Sequence, residues 1–398
     1  MNRHVHILLS TQFLTAFADN ALLFTAVAMA MHQPHPNAWY LPAIQAAFLV
    51  AYVLMAPWVG PYADSRPKAS VLTSANVVKA AGAVMMLAGI DPLIAYAVVG
   101  MGAAVYAPAK YGILPELVSS DELVRANSWI EGSTILAILA GSVAGGKIAD
   151  ASIPLALVTV LALYVASGLA ALFIRRTAPT LTEWPPVLSN FKRLTTTLLA
   201  DSKARLATFG VSLFWGSAAV LRVVLAAWAP LVLGMHDSAD VAVLMVYVAI
   251  GVALGAVAAP RIIPLAYLRR ARLAAYAMGA CVVVLGNAHG IETTRAALVL
   301  VGLFGGLFMV PMNAALQDIG HRSIGSGAVI SVQHFFENLA MVVGTALYSV
   351  AAAAGASPVG ALVALGALVV TVTLAVSLHL PRLAPLPELA EPVEEGES

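Results

Sequence analysis

Apolar runs of about twenty residues recur along the whole chain, each closed by a short break of polar residues, glycine or proline. That rhythm predicts twelve helices, near residues 6–30, 42–60, 69–88, 92–114, 124–146, 152–174, 206–234, 239–258, 270–288, 294–316, 325–350 and 358–379. At ~1.5 Å per residue such a run crosses the ~30 Å hydrocarbon layer of a bilayer, where a helix satisfies its own backbone polar groups. The first run follows a short basic start, and Ala26-Val27-Ala28 resembles a leader cleavage site. The run is too long for a leader core and has Asp19 at its centre, so it reads as a retained span.

Composition agrees with this pattern. Hydrophobic residues are 61% of the 398 and charged residues 10%, against roughly 25% charged in a soluble domain. That is too little charge to coat a soluble surface, and the chain reads as an all-α integral membrane protein. The net charge of +1 indicates no nucleic-acid surface, and the single cysteine, Cys281, excludes an internal disulfide. With both termini placed in the cytoplasm, 17 of the 21 Lys and Arg fall on the cytoplasmic side. Lys147 and Arg295 fall opposite, and Lys79 and Arg222 lie inside spans. This bias sets the orientation. Residues 175–205 carry six of those charges with Pro185 and Pro186, and read as a cytoplasmic linker between halves. Residues 381–398, with five glutamates and four prolines, read as an acidic disordered tail.

A shift of 203 residues superposes Pro57 on Pro260, Pro61 on Pro264, Arg66 on Arg269, Pro108 on Pro311 and Gly141 on Gly344. Prolines are the informative matches in so alanine-rich a chain. The shift is half the chain, which divides it into six-helix units at 1–174 and 206–380. Two units of even span number share one orientation, and this layout resembles the major facilitator superfamily, whose substrate site lies between the halves near the midplane. The same shift sets Arg222 on Asp19, an anion and a cation at matching depth on helices one and seven. The resemblance implies that those two helices line the cavity.

Six ionisable residues fall in or near spans: Asp19, Lys79, Lys110, Glu131, Arg222 and Glu337. Each costs roughly 2.5–3.5 kcal/mol at a helix centre, so each must face a partner or a cavity. With three of each sign, pairs that clamp helices are one reading, foremost for Lys110 with Glu131; Lys79 is a structural partner or snorkels. Asp19, Arg222 and Glu337, at midspan, read as lining a substrate path. Gln12, Thr15 and Asp19 share a face of helix one, next to Asn20. Gln333 and Glu337 share a face of helix eleven beside Asn338, and Asn127/Glu131 and Asn313/Gln317 repeat the i,i+4 spacing. Interhelical hydrogen-bond glue is the plainer role for the amides.

The loop Gly60-Pro-Tyr-Ala-Asp64-Ser-Arg66-Pro-Lys68 resembles the superfamily's signature between spans two and three. The resemblance implies a cytoplasmic latch in which Asp64 meets a helix N-terminus while Arg66, Lys68 and, from the next loop, Arg125 act in gating. The counterpart around Arg269 has Tyr267 in place of the aspartate. Close helix packing is the expected role of Gly141/Gly145, Gly251/Gly255 and Gly302/Gly306. Gly141 to Lys147 matches a phosphate loop until Ile148, where Ser or Thr is required, and follows no strand. The nine histidines form no metal-spaced set, and no His-x4-Asp or Ser-His-Asp arrangement stands out. No enzyme chemistry, metal or cofactor is expected.

Phe17-Ala-Asp19-Asn20-Ala-Leu-Leu-Phe24, Tyr106-Ala-Pro108-Ala-Lys110-Tyr111-Gly112, Leu213-Phe-Trp-Gly216 through Arg222, Val310-Pro-Met-Asn313 through Gln317, and Gln333 through Glu337-Asn338 resemble the bacterial lysophospholipid transporters (LplT) of that superfamily. The likeness runs along nearly the whole chain. His334, Phe335 and Phe336 depart from the pattern, where smaller or more polar residues are expected, and the aromatic pair is expected to narrow the path. The resemblance implies movement of lysophospholipids from the outer to the inner leaflet of the bacterial inner membrane by alternating access. A separate cytoplasmic-face acyltransferase would then reacylate them. It implies a binding set of Asp19, Asn20, Lys110, Tyr111, Arg222, Gln333, Glu337 and Asn338. Arg222 has the donor fork for a phosphate, and Asp19 or Glu337 can take an ammonium; the expected resting state is an Asp19–Arg222 pair. A proton-coupled exporter of drugs or amphiphilic solutes, and a non-transporting scaffold for an acyltransferase, remain alternatives on the same residues.

Overall fold

The computed structural model describes residues 3–31, 40–175, 178–179, 181–235, 238–323 and 325–378. The long helices of the first half are α1 (Arg3–Met31), α2 (Tyr40–Asp64), α3 (Lys68–Leu87), α4 (Pro92–Gly112), α6 (Leu123–Ala151) and α7 (Ile153–Ala171), with a one-turn α5 (Leu114–Leu117) after α4. A linker helix, α8 (Val187–Ala200), leads to α9 (Ser202–Leu233), α10 (Ser238–Ile262), α11 (Ala271–Gly286), α12 (Ile291–Arg322), α13 (Ser326–Ala353) and α14 (Pro358–Leu378). Eleven are long and apolar enough to cross a membrane. The twelfth is α11, sixteen residues that continue a 3-10 turn over Leu265–Arg270. Among the described residues there is no strand. The 203-residue shift holds at the level of elements: it carries the bounds of α6 to 326–354, against Ser326–Ala353 observed for α13.

Local chemistry sets the ends. Asp91 caps α4 by accepting from Leu93 N at 2.8 Å, with Pro92 at the first position. Asp201 caps α9 through Ala204 N at 2.7 Å, so α9 begins before the predicted linker ends at 205. Gly234, at φ +66°, closes α9 in the left-handed region. The helix α8 inside the linker is a finding the charge count obscured. Val187, Phe191, Leu194 and Leu198 recur at helical spacing; Leu194 and Leu198 are buried, and Lys192 and Arg193 are exposed. The predicted tail lies outside the described residues.

Within the first half α1 packs on α6 and α7, and α3 lies between α4 and α7. In the second half α10 packs on α12, α11 on α14 and α9 on α13. The glycines permit this closeness: a Cβ on Gly145 would stand 2.8 Å from Ala21 Cβ of α1, and Gly302 and Gly306 of α12 meet the α10 backbone at Gly251 and Gly255. Lipid-side positions stay apolar, as at Leu54, Phe173, Leu231 and Val350, all exposed. The halves meet along a seam of α2 and α4 against α13, and of α6 against α10 and α12. The principal contacts of α1 and α9 stay within the halves, apart from those of α9 with α8.

Candidate functional site

One polar chain crosses the seam inside the spans, nearer the end where the basic loops gather. Tyr111 of α4 donates to Glu131 Oε1 of α6 at 2.7 Å, and Asn313 Nδ2 of α12 reaches the same oxygen at 3.5 Å. Gln333 Nε2 of α13 donates to Asn313 Oδ1 at 2.8 Å and to Glu337 Oε1 at 2.6 Å. Lys110 Nζ stands 3.9 Å from the Tyr111 ring centroid, a cation–π distance. Lys110, Glu131, Asn313, Gln333 and Glu337 are all buried. No ion pair is described for Lys110, so the expected Lys110–Glu131 pair is replaced by the tyrosine–glutamate hydrogen bond. Four of the predicted binding residues, Lys110, Tyr111, Gln333 and Glu337, are thus gathered, and Glu131 and Asn313 join them.

One turn nearer the basic loops, Asn127 and Gln317 exchange two amide hydrogen bonds of 2.8 Å, both side chains fully buried. The pairs 127/317 and 131/313 are rungs of one antiparallel ladder between α6 and α12. The signal was the equal i,i+4 spacing on both helices; the partnership across the seam was not read from it.

Asp19 belongs to a second cluster inside the first half. Its Oδ2 pairs with Lys79 Nζ of α3 at 2.7 Å, and Oδ1 accepts from Tyr164 OH of α7 at 2.8 Å. Lys79 also donates to Thr15 Oγ1 at 3.2 Å, and Thr15 donates to Asn76 Oδ1 at 2.8 Å. The expected Asp19–Arg222 pair is therefore absent: a lysine on the neighbouring helix reaches the carboxylate first. Arg222 is accessible on α9, and among the described residues it makes no ion pair. Asn20 and Asn338 each return their amide to their own helix, to Ala16 O and His334 O at 2.8 Å. Phe335 packs edge-on against Phe191 of α8 and Phe336 against Phe209 of α9. The aromatic pair braces these helices, whereas it was expected to narrow the path.

At the end where the basic loops gather, Asp64 caps α13 across the seam. Its Oδ1 and Oδ2 accept from Gly327 N and Ala328 N, each at 2.9 Å. The carboxylate thus fills the N-terminus of a helix in the other half, where the dipole favours an anion. Lys68, 1% exposed, holds Asp64 Oδ1 at 3.2 Å and Glu116 Oε1 at 3.4 Å. Lys68 therefore braces its own half and does not bridge. Arg66 is exposed and stacks on Tyr62 at 4.2 Å, and Arg125 is exposed with no ion pair described. The second contact came from residues not singled out as gating. Arg322 donates to Ser120 Oγ at 2.8 Å and to Asp318 Oδ1 at 3.0 Å, and Ser120 donates to the same Asp318 oxygen at 2.7 Å. Helix α8 adds a strap that touches α2, α9 and α13, and Leu181 N donates to Asp64 O at 3.0 Å.

Comparison with known proteins agrees with this architecture. The family model of the Major Facilitator Superfamily matches residues 8–345. The chain is 42% identical over 353 residues to the lysophospholipid transporter LplT of Photorhabdus laumondii, covering 88% of each chain. It is 41% identical to the transporter of that name from Serratia proteamaculans, covering 88% of this chain and 89% of that one. Among solved structures, the human organic anion transporter MFSD10 aligns with a TM-score of 0.79 at 14% identity, over 94% of this chain and 100% of that one. A bacterial homologue of the iron transporter ferroportin aligns at 0.73 and 17% identity, over 95% and 99%. These two share the fold. The twelve-helix fold, the family model and relatives above 40% identity together make this chain a member of the Major Facilitator Superfamily and, within it, of the lysophospholipid transporter LplT family.

Proposed function

We propose that this chain moves lysophospholipids across the bacterial inner membrane, from outer to inner leaflet, by alternating access and without enzyme chemistry of its own. The observation that carries the reading is the buried polar chain that crosses the seam inside the spans, in a chain whose relatives bear that name. A zwitterionic head loses its hydration on entering such a place and needs fixed partners in exchange. Lys110 and Arg222, the two span cations with no ion pair described, take the phosphate. Glu337, with Gln333 and Asn338 beside it, and Asp19, with Asn20, take the ammonium. Asp19 accepts it by trading Lys79 for the substrate's cation, and Tyr111 forms the wall between the two ends of the head.

The basic loops and both termini lie in the cytoplasm on the charge bias. The units 1–174 and 206–380 then rock about the seam, with 175–205 as the cytoplasmic strap. The Asp64 and Ser120–Asp318–Arg322 contacts hold the cytoplasmic end closed, which leaves the opposite end for entry. Arg66, Lys68 and Arg125 tune that closure from the first half. A cytoplasmic-face acyltransferase is the expected consumer of the delivered lipid.

The test is uptake of labelled lysophosphatidylethanolamine into vesicles reconstituted with the purified chain. Lys110→Ala and Arg222→Ala are each expected to lower uptake at least about tenfold, the worth of one charge-assisted hydrogen bond, with protein still folded in the vesicles. Unchanged uptake in both variants would remove the site. Proton-driven movement of cationic amphiphiles, with none of lysolipid, would install the exporter reading instead.

A further inference from the structure

Among the described residues, His334 is a seam side chain with no hydrogen bond at either ring nitrogen. It stands on α13 one turn before Glu337, and its side chain is 12% exposed. Both ring nitrogens are buried without a hydrogen-bond partner. The ring reaches across to the other half, 5.7 Å from the ring of Tyr52 on α2 and 5.7 Å, edge-on, from that of Tyr111 on α4. Glu337 on the same helix is a charged neighbour, with Oε2 4.0 Å from Nε2. A phenyl ring would make the same aromatic contacts without two desolvated polar atoms. Packing therefore does not explain an imidazole here, whereas a partner present only when the seam is occupied does.

The position indicates which partner. Lys110 Nζ and the His334 ring flank the same Tyr111 ring. A lipid phosphate held by Lys110 therefore has its glycerol carbons beside His334. In a 1-acyl lysophospholipid the free hydroxyl is on the carbon next to the one that bears the phosphate ester. That hydroxyl can donate to one imidazole nitrogen or accept from the other. A two-chain phospholipid has an ester at that carbon and no proton to give.

We propose that His334 is a specificity-determining residue that hydrogen-bonds the free glycerol hydroxyl of the substrate, the group that separates a one-chain from a two-chain phospholipid. The inference rests on the lysophospholipid reading above. It predicts discrimination of the kind seen where a site built for a hydroxyl meets an analogue that lacks it.

The experiment compares uptake of a labelled 1-acyl lysophosphatidylethanolamine with that of its 2-O-methyl ether, in vesicles containing the full chain. The wild type is expected to favour the free hydroxyl about tenfold, one net hydrogen bond with a buried group otherwise left unmet. His334→Leu is expected to bring the two rates together. His334→Gln, which keeps a donor and an acceptor, is expected to retain most of the preference, so loss of folding in one variant leaves the other to decide. A wild type that moves both lipids equally, or a leucine variant that keeps the wild-type ratio, overturns the assignment of His334. A wild type that moves neither lipid overturns the substrate reading itself, a different and separable result.

Discussion

At the scale of single residues, the chain handles its intramembrane charges in two ways. Asp19 and Lys79 neutralise each other at 2.7 Å, and Tyr164 and Thr15 satisfy their remaining valences. Lys110 and Arg222 have no ion pair described. The two treatments predict different consequences of substitution. Lys79→Ala strands the Asp19 carboxylate, with an expected loss of about 3 kcal/mol, the cost of breaking one side of a buried pair. Asp19→Asn in the same chain should recover at least about 1 kcal/mol of it, the signature of residues in one network. Thermal unfolding in detergent of both single variants and the double measures this coupling. Strict additivity would show that the pair holds nothing. Asp19, Lys79 and Glu337 were visible as costly charges within spans from the apolar pattern alone. Which of them pair was not, because side chains on three helices compete for one carboxylate and only their distances decide.

At the scale of elements, the start of α13 is built around another helix's side chain. Gly325 sits at φ +97°, and a Cβ there would lie 2.7 Å from Asp64 Oδ2; a Cβ on Gly327 would lie 2.7 Å from Oδ1. Both glycines clear room for a carboxylate to cap two backbone amides, and neither has a local side-chain cap to fall back on. Asp64→Asn keeps the shape but removes the charge and one of the two acceptor oxygens, which is expected to shift the closed end toward open at least about fivefold, from about 1 kcal/mol of charge–dipole attraction alone. Spin labels on the exposed residues Glu122 and Ser323, one in each half, read that shift as a longer distance component. An unchanged distance distribution would show that the Asp64 cap does not hold this end closed. That Asp64 meets a helix N-terminus was legible from the loop signature. The glycines that receive it were not, since nothing at 325–327 marks which distant aspartate arrives there.

At the scale of the whole molecule, the hydrogen bonds described between the halves lie in the part of the spans nearer the basic loops and at the basic end itself, and α8 crosses that end as a strap. Closure there rests on contacts that must break together if the halves rock. Ser120→Cys with Asp318→Cys, in a chain whose lone Cys281 is replaced by alanine, joins the halves across α6 and α12. A short dithiol-specific cross-linker is expected to reduce lysolipid uptake about tenfold or more, and reduction is expected to restore it. Full uptake in the cross-linked protein would mean that this end never opens during transport. The repeat had already announced two like units, because prolines and an arginine recur at one interval. It could not announce Ser120, Asp318 and Arg322, which have no such recurrence and meet only because α5 and the following turn fold back beneath α12.

The sequence by itself determined the twelve long helices, the kinship of the halves and the inventory of polar groups that hydrocarbon would not tolerate unpartnered. Those follow from local facts: run length, proline and glycine positions, and the free energy of a charge in lipid. Tertiary structure alone decided who partners whom: Lys79 over Arg222 for Asp19, Tyr111 over Lys110 for Glu131, Asn127 with Gln317, and His334 with ring contacts but no hydrogen-bond partner among the described residues. A hydrogen bond depends on a few ångströms between helices far apart in the chain. Spacing along one helix settles which face a residue occupies and leaves open what stands opposite.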